Sequence, residues 1–189
     1  MNTVTTLPVP TMLPVDRSDH RTATALHEAA HALAYIAVGR GFQHIDMKPD
    51  DAVGRVVVHP RMIDAWTKAQ VTMVGPVVEA FMFRDSIEPD PETVRLILER
   101  LAESREAHDD YSEPDDYTDA GPYAEAVLMW ALPFVTSQWH HVEAVARLVL
   151  ESENRLTSHA EVQAVLPDAL TADPEVFTAW APAIEQVTR

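Results

Sequence analysis

Residues 23–39 read ATALHEAAHALAYIAVG and hold the pattern H-E-x-x-H at His27, Glu28 and His31. On an α-helix, positions i and i+4 share a face, so His27 and His31 can offer imidazole nitrogens to one ion. Glu28 is turned about 100° away from His27, which puts its carboxylate beside such an ion and not on it. There it can take a proton from a metal-activated water and later pass it to a leaving amine. The flanking residues suit a helix: Ser18 or Asp19 can cap its start, and Gly39 follows Val38 where a left-handed C-cap falls. Leu26, Ala30, Leu33 and Ala37 make an apolar stripe, and Ala25, Ala29 and Ala32 make a second stripe of small residues that admits close packing. The plain alternative is an amphipathic helix with two solvated histidines.

Composition narrows the chemistry. The chain has 189 residues, 47% of them hydrophobic, a globular composition with enough length for one core. It contains no cysteine, so any transition metal must be held by His, Asp or Glu. A formal charge of −16 argues against nucleic acid and against an anionic membrane surface. The acid is concentrated: residues 88–119 carry twelve acidic residues against Arg95, Arg100 and Arg105, a pattern that ordinarily marks a solvated helix face and loop. No apolar run is long enough to cross a bilayer, and MNTVTTLPVPTMLPV lacks the basic and apolar regions of a signal peptide. Residues 1–17, with three prolines among the first fifteen, read as an extended arm. The expected compartment is the cytoplasm, and residues 18–189 are expected to form a single domain.

After the first helix, HIDMK alternates and RVVVH is β-branched, with Pro49-Asp50-Asp51 and Gly54 between them; this pattern predicts a strand pair near 43–48 and 54–59. A helix is expected from about Asp64 to Phe83, with Val71, Val74, Val78 and Phe81 facing inward and Gly75-Pro76 interrupting and kinking it. EPDPETVRLILERLAESREAHDD predicts another, with Pro91 in its first turn. An acidic connection, YSEPDDYTDAG, leads to helices over 117–130 and from about 133. LTSHAEVQAVL reads as a short capped helix, with one more from Pro174. The fold class is thus mainly α (α+β), with a small two- or three-stranded sheet.

Two histidines do not complete a catalytic zinc site, which usually has three protein ligands. Candidates for the third are Asp115, Asp116 and Asp119 near the start of a later helix, Glu79 in VVEAF, and His140 or His141 in SQWHHVEAV. Adjacent helix positions cannot both face one site, so at least one of His140 and His141 lies elsewhere. Residue chemistry alone does not choose among these groups.

The chain resembles the zinc peptidase domain of the FtsH family of AAA proteases. TATALHEAAHALAYIAVG is similar to its metal helix, HIDMKPDDAVGRVVVHP to the strand pair that follows, and VTMVGPVVEAF to the next helix. DDYTDAGPYAEAV is similar to its D-x-x-x-A-x-x-x-A segment, matched by Asp116, Ala120 and Ala124, and HHVEAVARLVLESENRLTSHAEVQAVL to its closing helices. The resemblance runs in collinear order over about residues 20–166, and the pentapeptide is its specific part. It implies a zincin-like helical peptidase domain with His27, His31 and Asp116 as zinc ligands and Glu28 as catalytic base. It also implies that Glu79, matching one of a pair of acids, orients a ligand histidine. The chain departs from the family in having Ala30 and Pro76 where glycines are usual, Glu-Pro-Asp before Asp116, and no G-x-x-x-x-G-K-[ST] motor motif.

The expected function is therefore that of a zinc metallopeptidase acting, without a motor, on a peptide or unfolded protein. The resemblance suggests that the substrate lies extended along a strand edge, GRVVVHP or its partner. A homo-oligomer or a separate partner protein are the further associations considered. A different class is a non-catalytic or regulatory peptidase-like binding module that retains a metal site, with residues 88–119 as its interaction surface. A third reading keeps the peptidase and makes Glu79 the third ligand.

Overall fold

A computed structural model describes residues 19–48, 54–59, 64–109, 120–152, 155–166, 170 and 173–188. In chain order the elements are α1 (His20–Ala37), β1 (Phe42–Met47), β2 (Gly54–Val58), α2 (Ala65–Arg84), α3 (Pro91–Asp109), α4 (Ala120–Glu151), β3 (Leu156–Ser158), α5 (His159–Ala164) and α6 (Pro174–Thr188). The described chain is mainly helical with one small antiparallel sheet. The expected arm, residues 1–17, lies outside the described residues, and so does Ser18.

Local chemistry sets the limits of α1. The Asp19 carboxylate accepts the N–H of Arg21 at 3.1 Å and the hydroxyl of Thr22. At the other end Gly39 has φ +71°, a conformation that other residues adopt at a cost. This lets Gly39 N–H bond the Ile36 carbonyl at 3.0 Å and Arg40 N–H bond the Tyr35 carbonyl at 2.8 Å, closing the helix with a Schellman turn. Leu26, Ala29, Ala30, Ala32, Leu33 and Ala34 are all 0% exposed. The alanines leave room for α2 and α4 to pack directly along α1, and these three helices make the centre of the fold.

Two prolines that read as interruptions lie inside continuous helices. α2 runs through Gly75-Pro76, and α4 is one helix through Pro133, where the sequence predicts two. Each proline removes one ladder donor. Burial offsets that loss: Val74, Val77 and Val78 surround the first, and Leu132, Phe134 and Val135 the second, all in the core. The remaining helices pack outward from this centre. Phe81 of α2 lies 5.8 Å from both Trp139 of α4 and Trp180 of α6, and Trp180 donates its indole N–H to the Thr136 hydroxyl at 2.9 Å.

The sheet has the order β2-β1-β3, antiparallel throughout. Phe42, Ile45 and Met47 of β1 point into the core. The third strand, LTS, is too short to carry an alternating pattern, and Ser158 at its end also caps α5 through a reciprocal box with Glu161. β2 is the outer strand beside α1, so the sheet edge meets the H-E-x-x-H helix. No described helix is long and apolar enough to cross a membrane.

The start of α3 gives a test of these local rules. Asp90 accepts the N–H groups of Glu92 and Thr93 at 2.9 and 3.0 Å and the Thr93 hydroxyl at 2.8 Å, with Pro91 in the first turn. Partial burial works against its charge, but the Thr93 bonds and Arg84 outweigh it and hold the carboxyl below its ordinary 3.8. A depressed folded-state pKa gives stability that is present above the unfolded value and lost as pH falls through the folded one. Asp90→Ala should cost about 1 kcal/mol at neutral pH, measured by urea unfolding. The difference from wild type should shrink below pH 3.8.

Candidate functional site

α1 presents His27 and His31 one turn apart toward α2, with ring centroids 4.7 Å apart. His31 Nδ1 lies 2.8 Å from the Val71 carbonyl. His27 Nδ1 lies 2.8 Å from Glu79 Oε1. A carbonyl and a carboxylate only accept, so both Nδ1 atoms carry their hydrogens and donate. That leaves the two Nε2 atoms to each other, 2.9 Å apart. Two lone pairs at that separation repel unless something positive stands between them, a proton or a metal ion.

The electrostatics of the pair set the two rings apart. Burial pushes the His31 imidazole down to about 3, and the neighbouring His27 charge pushes the same way against the Val71 carbonyl. Burial also works against a charge on His27, but the Glu79 hydrogen bond and the charges of Glu28 and Glu79 outweigh it, and His27 is raised above 6.5. His27 is thus the more readily protonated ring of the two, and His31 the acceptor in their contact when it is. Glu79 in turn is held below its ordinary value by its bond to His27.

One helix face organises this arrangement. Val71, Gly75 and Glu79 are spaced by four on α2 and run along the histidine pair. Val71 orients His31 and Glu79 orients His27. Gly75 lies between them. A Cβ there would fall 2.6 Å from His27 Nε2 and 2.8 Å from His31 Nε2. The two rings fit against α2 here only because position 75 has no side chain. Two neutral imidazoles, each held by an acceptor on its far nitrogen, are a donor set that fits zinc.

Glu28 is 7% exposed and lies against β2. Burial raises its carboxyl above the ordinary value, against the pull of His27 and the Val56 N–H. Its carboxylate is thus a better proton acceptor than one in water. A second glycine shapes this side: a Cβ at Gly54 would lie 2.6 Å from Glu28 Cγ.

His27, Glu28, His31 and Glu79 are brought together. Asp116, and with it Asp115 and Asp119, lie outside the described residues. Among the described residues no three or more His, Asp or Glu side chains are placed so that together they could hold a metal ion. Glu79 faces the Nδ1 side of His27, away from the nitrogens that converge. His140 and His141 pack against each other at 3.7 Å on α4, and His141 Nδ1 bonds Gln138 Oε1.

Sequence reasoning missed the roles of Gly54, Gly75 and the Val71 carbonyl. A carbonyl leaves no mark in a sequence. The glycines do: the chain has only five, so one inside an apolar helix is a signal of close approach. No protein-family model matches the chain, and no curated protein matches it.

In a helix interior, alanine ordinarily stabilises over glycine by about 1 kcal/mol. At position 75 the added methyl meets two buried rings, so Gly75→Ala should lower the melting temperature of the metal-free protein. A raised melting temperature would contradict this packing.

Proposed function

We propose that this protein is a zinc-dependent metallopeptidase whose base is Glu28 and whose ion is held by His27, His31 and Asp116. The observation that supports it is the convergence of two Nε2 atoms, each with its Nδ1 tied to an acceptor, beside a buried carboxylate of raised proton affinity. The collinear resemblance to the FtsH peptidase domain favours Asp116 as the third ligand. Zinc, when bound, would polarise the scissile carbonyl and make the attacking water more acidic.

The chain's own groups do the rest. Val71 and Glu79 fix the imidazoles with their Nε2 atoms turned toward each other. Glu28 takes the proton of the attacking water and returns it to the leaving amine. β2 runs past Glu28 at the edge of the sheet, a place where an extended peptide can add as a further strand. On this reading the substrates are peptides or unfolded protein segments, and the location is cytoplasmic.

Tag-free protein should take up about one zinc per chain. Asp116→Asn should weaken zinc affinity by far more than Glu79→Gln, whose effect should stay within about 10–100-fold. Competition with a chromogenic chelator measures both, and the reverse order would make Glu79 the ligand.

Glu28→Gln keeps shape and hydrogen bonding but cannot take a proton. It should retain zinc and fold while losing several orders of magnitude in hydrolysis of unstructured peptides. Equal cleavage by both proteins would overturn Glu28 as base. Zinc binding without cleavage by either would favour the binding-module reading.

A further inference from the structure

Gly54 opens β2 with an ordinary backbone. Among the described residues the only glycine with a positive φ is Gly39, so turn geometry does not call for glycine at position 54. A glycine in a strand weakens the element and marks a close approach. Here the approach is to α1. A Cβ at position 54 would lie 2.6 Å from Glu28 Cγ, 2.8 Å from Thr24 Cγ2 and 2.9 Å from Met47 Sδ. Real Cβ atoms essentially never come so near, so something would have to move.

The neighbours are not equally free to yield. Met47 stands opposite Gly54 in the β1–β2 register and is 2% exposed, yet its thioether is unbranched and adaptable. Thr24 is held at χ1: its hydroxyl donates to the His20 carbonyl at 2.8 Å, and turning the methyl away breaks that bond. β2 is tied in place by its ladder to β1, and β1 by its ladder to β3. Glu28 lies one turn after Thr24 on the same face of α1. Its Cγ is the nearest contact, and one rotation about χ1 carries it clear. In a helix χ1 has two open wells, near 180° and −60°. The bare backbone at position 54 leaves room for the well now occupied, and a methyl there selects against it.

We propose that Gly54 is a positioning residue for Glu28: its missing side chain fixes the rotamer of the Glu28 stem and so the place where the carboxylate stands. Glu28 is 7% exposed, and the strand is the wall against which its stem rests. A methyl at position 54 turns the stem and takes the carboxylate with it. His27 and His31, which are held by α2, stay where they are. The packing claim stands on the close approach alone; its consequence for proton transfer rests on the proposed peptidase function.

The packing claim is tested on the full-length, zinc-free protein by urea unfolding in a double-mutant cycle. Alanine ordinarily stabilises a strand over glycine. Gly54→Ala should instead lower the urea midpoint. Glu28→Ala has no Cγ, and in that background the same change should lower the midpoint by less than about half as much. Folding of the double variant where Gly54→Ala alone fails to fold would support the proposal. Equal losses in the two backgrounds, or failure to fold in both, would overturn it, because the stem would then not be what the methyl meets. The consequence is read with zinc-loaded protein on unstructured peptides. Gly54→Ala should lower kcat per zinc-bound chain by about tenfold or more, with KM within about threefold and zinc affinity unchanged. Cleavage at the wild-type kcat would overturn the positioning of the base, and a loss of kcat matched by a loss of zinc would assign Gly54 to the fold instead. A wild type that cleaves nothing contradicts the peptidase reading and leaves the result of the unfolding cycle standing.

Discussion

The 2.9 Å approach of His27 Nε2 to His31 Nε2 is the constraint around which the centre of this protein is arranged. Left to themselves, two buried imidazoles would turn apart and find separate partners. They are kept facing because α2 supplies an acceptor to the opposite nitrogen of each, the Val71 carbonyl and the Glu79 carboxylate. The rest follows from bringing α1 and α2 to that distance. The alanines of α1 allow it on one side, and Gly75 allows it on the other. The cost is local helix stability: a glycine and a proline sit in successive positions of α2. Packing of Val74, Val77 and Val78 in the core offsets that cost.

The same logic connects the site to the sheet. β2 lies at the edge and meets α1 where Glu28 emerges, again through a glycine. The helix that carries His27 and His31, the helix that orients them and the strand beside Glu28 therefore share one small region. Function and fold are hard to separate here. Changes at Gly54, Val71 or Gly75 act on site geometry without touching a reacting atom.

Much of this was legible in the sequence, for physical reasons. α1 announced itself because its cap, its apolar stripe and Gly39 all agree on one helix. The strand pair was visible because β-branched residues alternate about a turn. Pro133 misled, since proline's local cost says nothing about the burial that outweighs it in α4. β3 escaped because three residues hold no period. At the candidate site, spacing put His27 and His31 on one face of α1, where they meet; Glu79 stood among the candidate ligands by residue type, and the resemblance implied its place beside a histidine. The Val71 carbonyl is a backbone group that every residue owns, so only the packing of α1 against α2 makes it special. Asp116 rests on the resemblance, since it lies outside the described residues.

The central claim is that one positive centre belongs between the two Nε2 atoms. Anomalous diffraction at the zinc absorption edge, on crystals of tag-free protein grown with zinc, tests it most directly. The account predicts a single strong peak within bonding distance of both His27 Nε2 and His31 Nε2. No peak there, or a peak bound elsewhere with the histidine pair still in mutual hydrogen-bond contact, would contradict it.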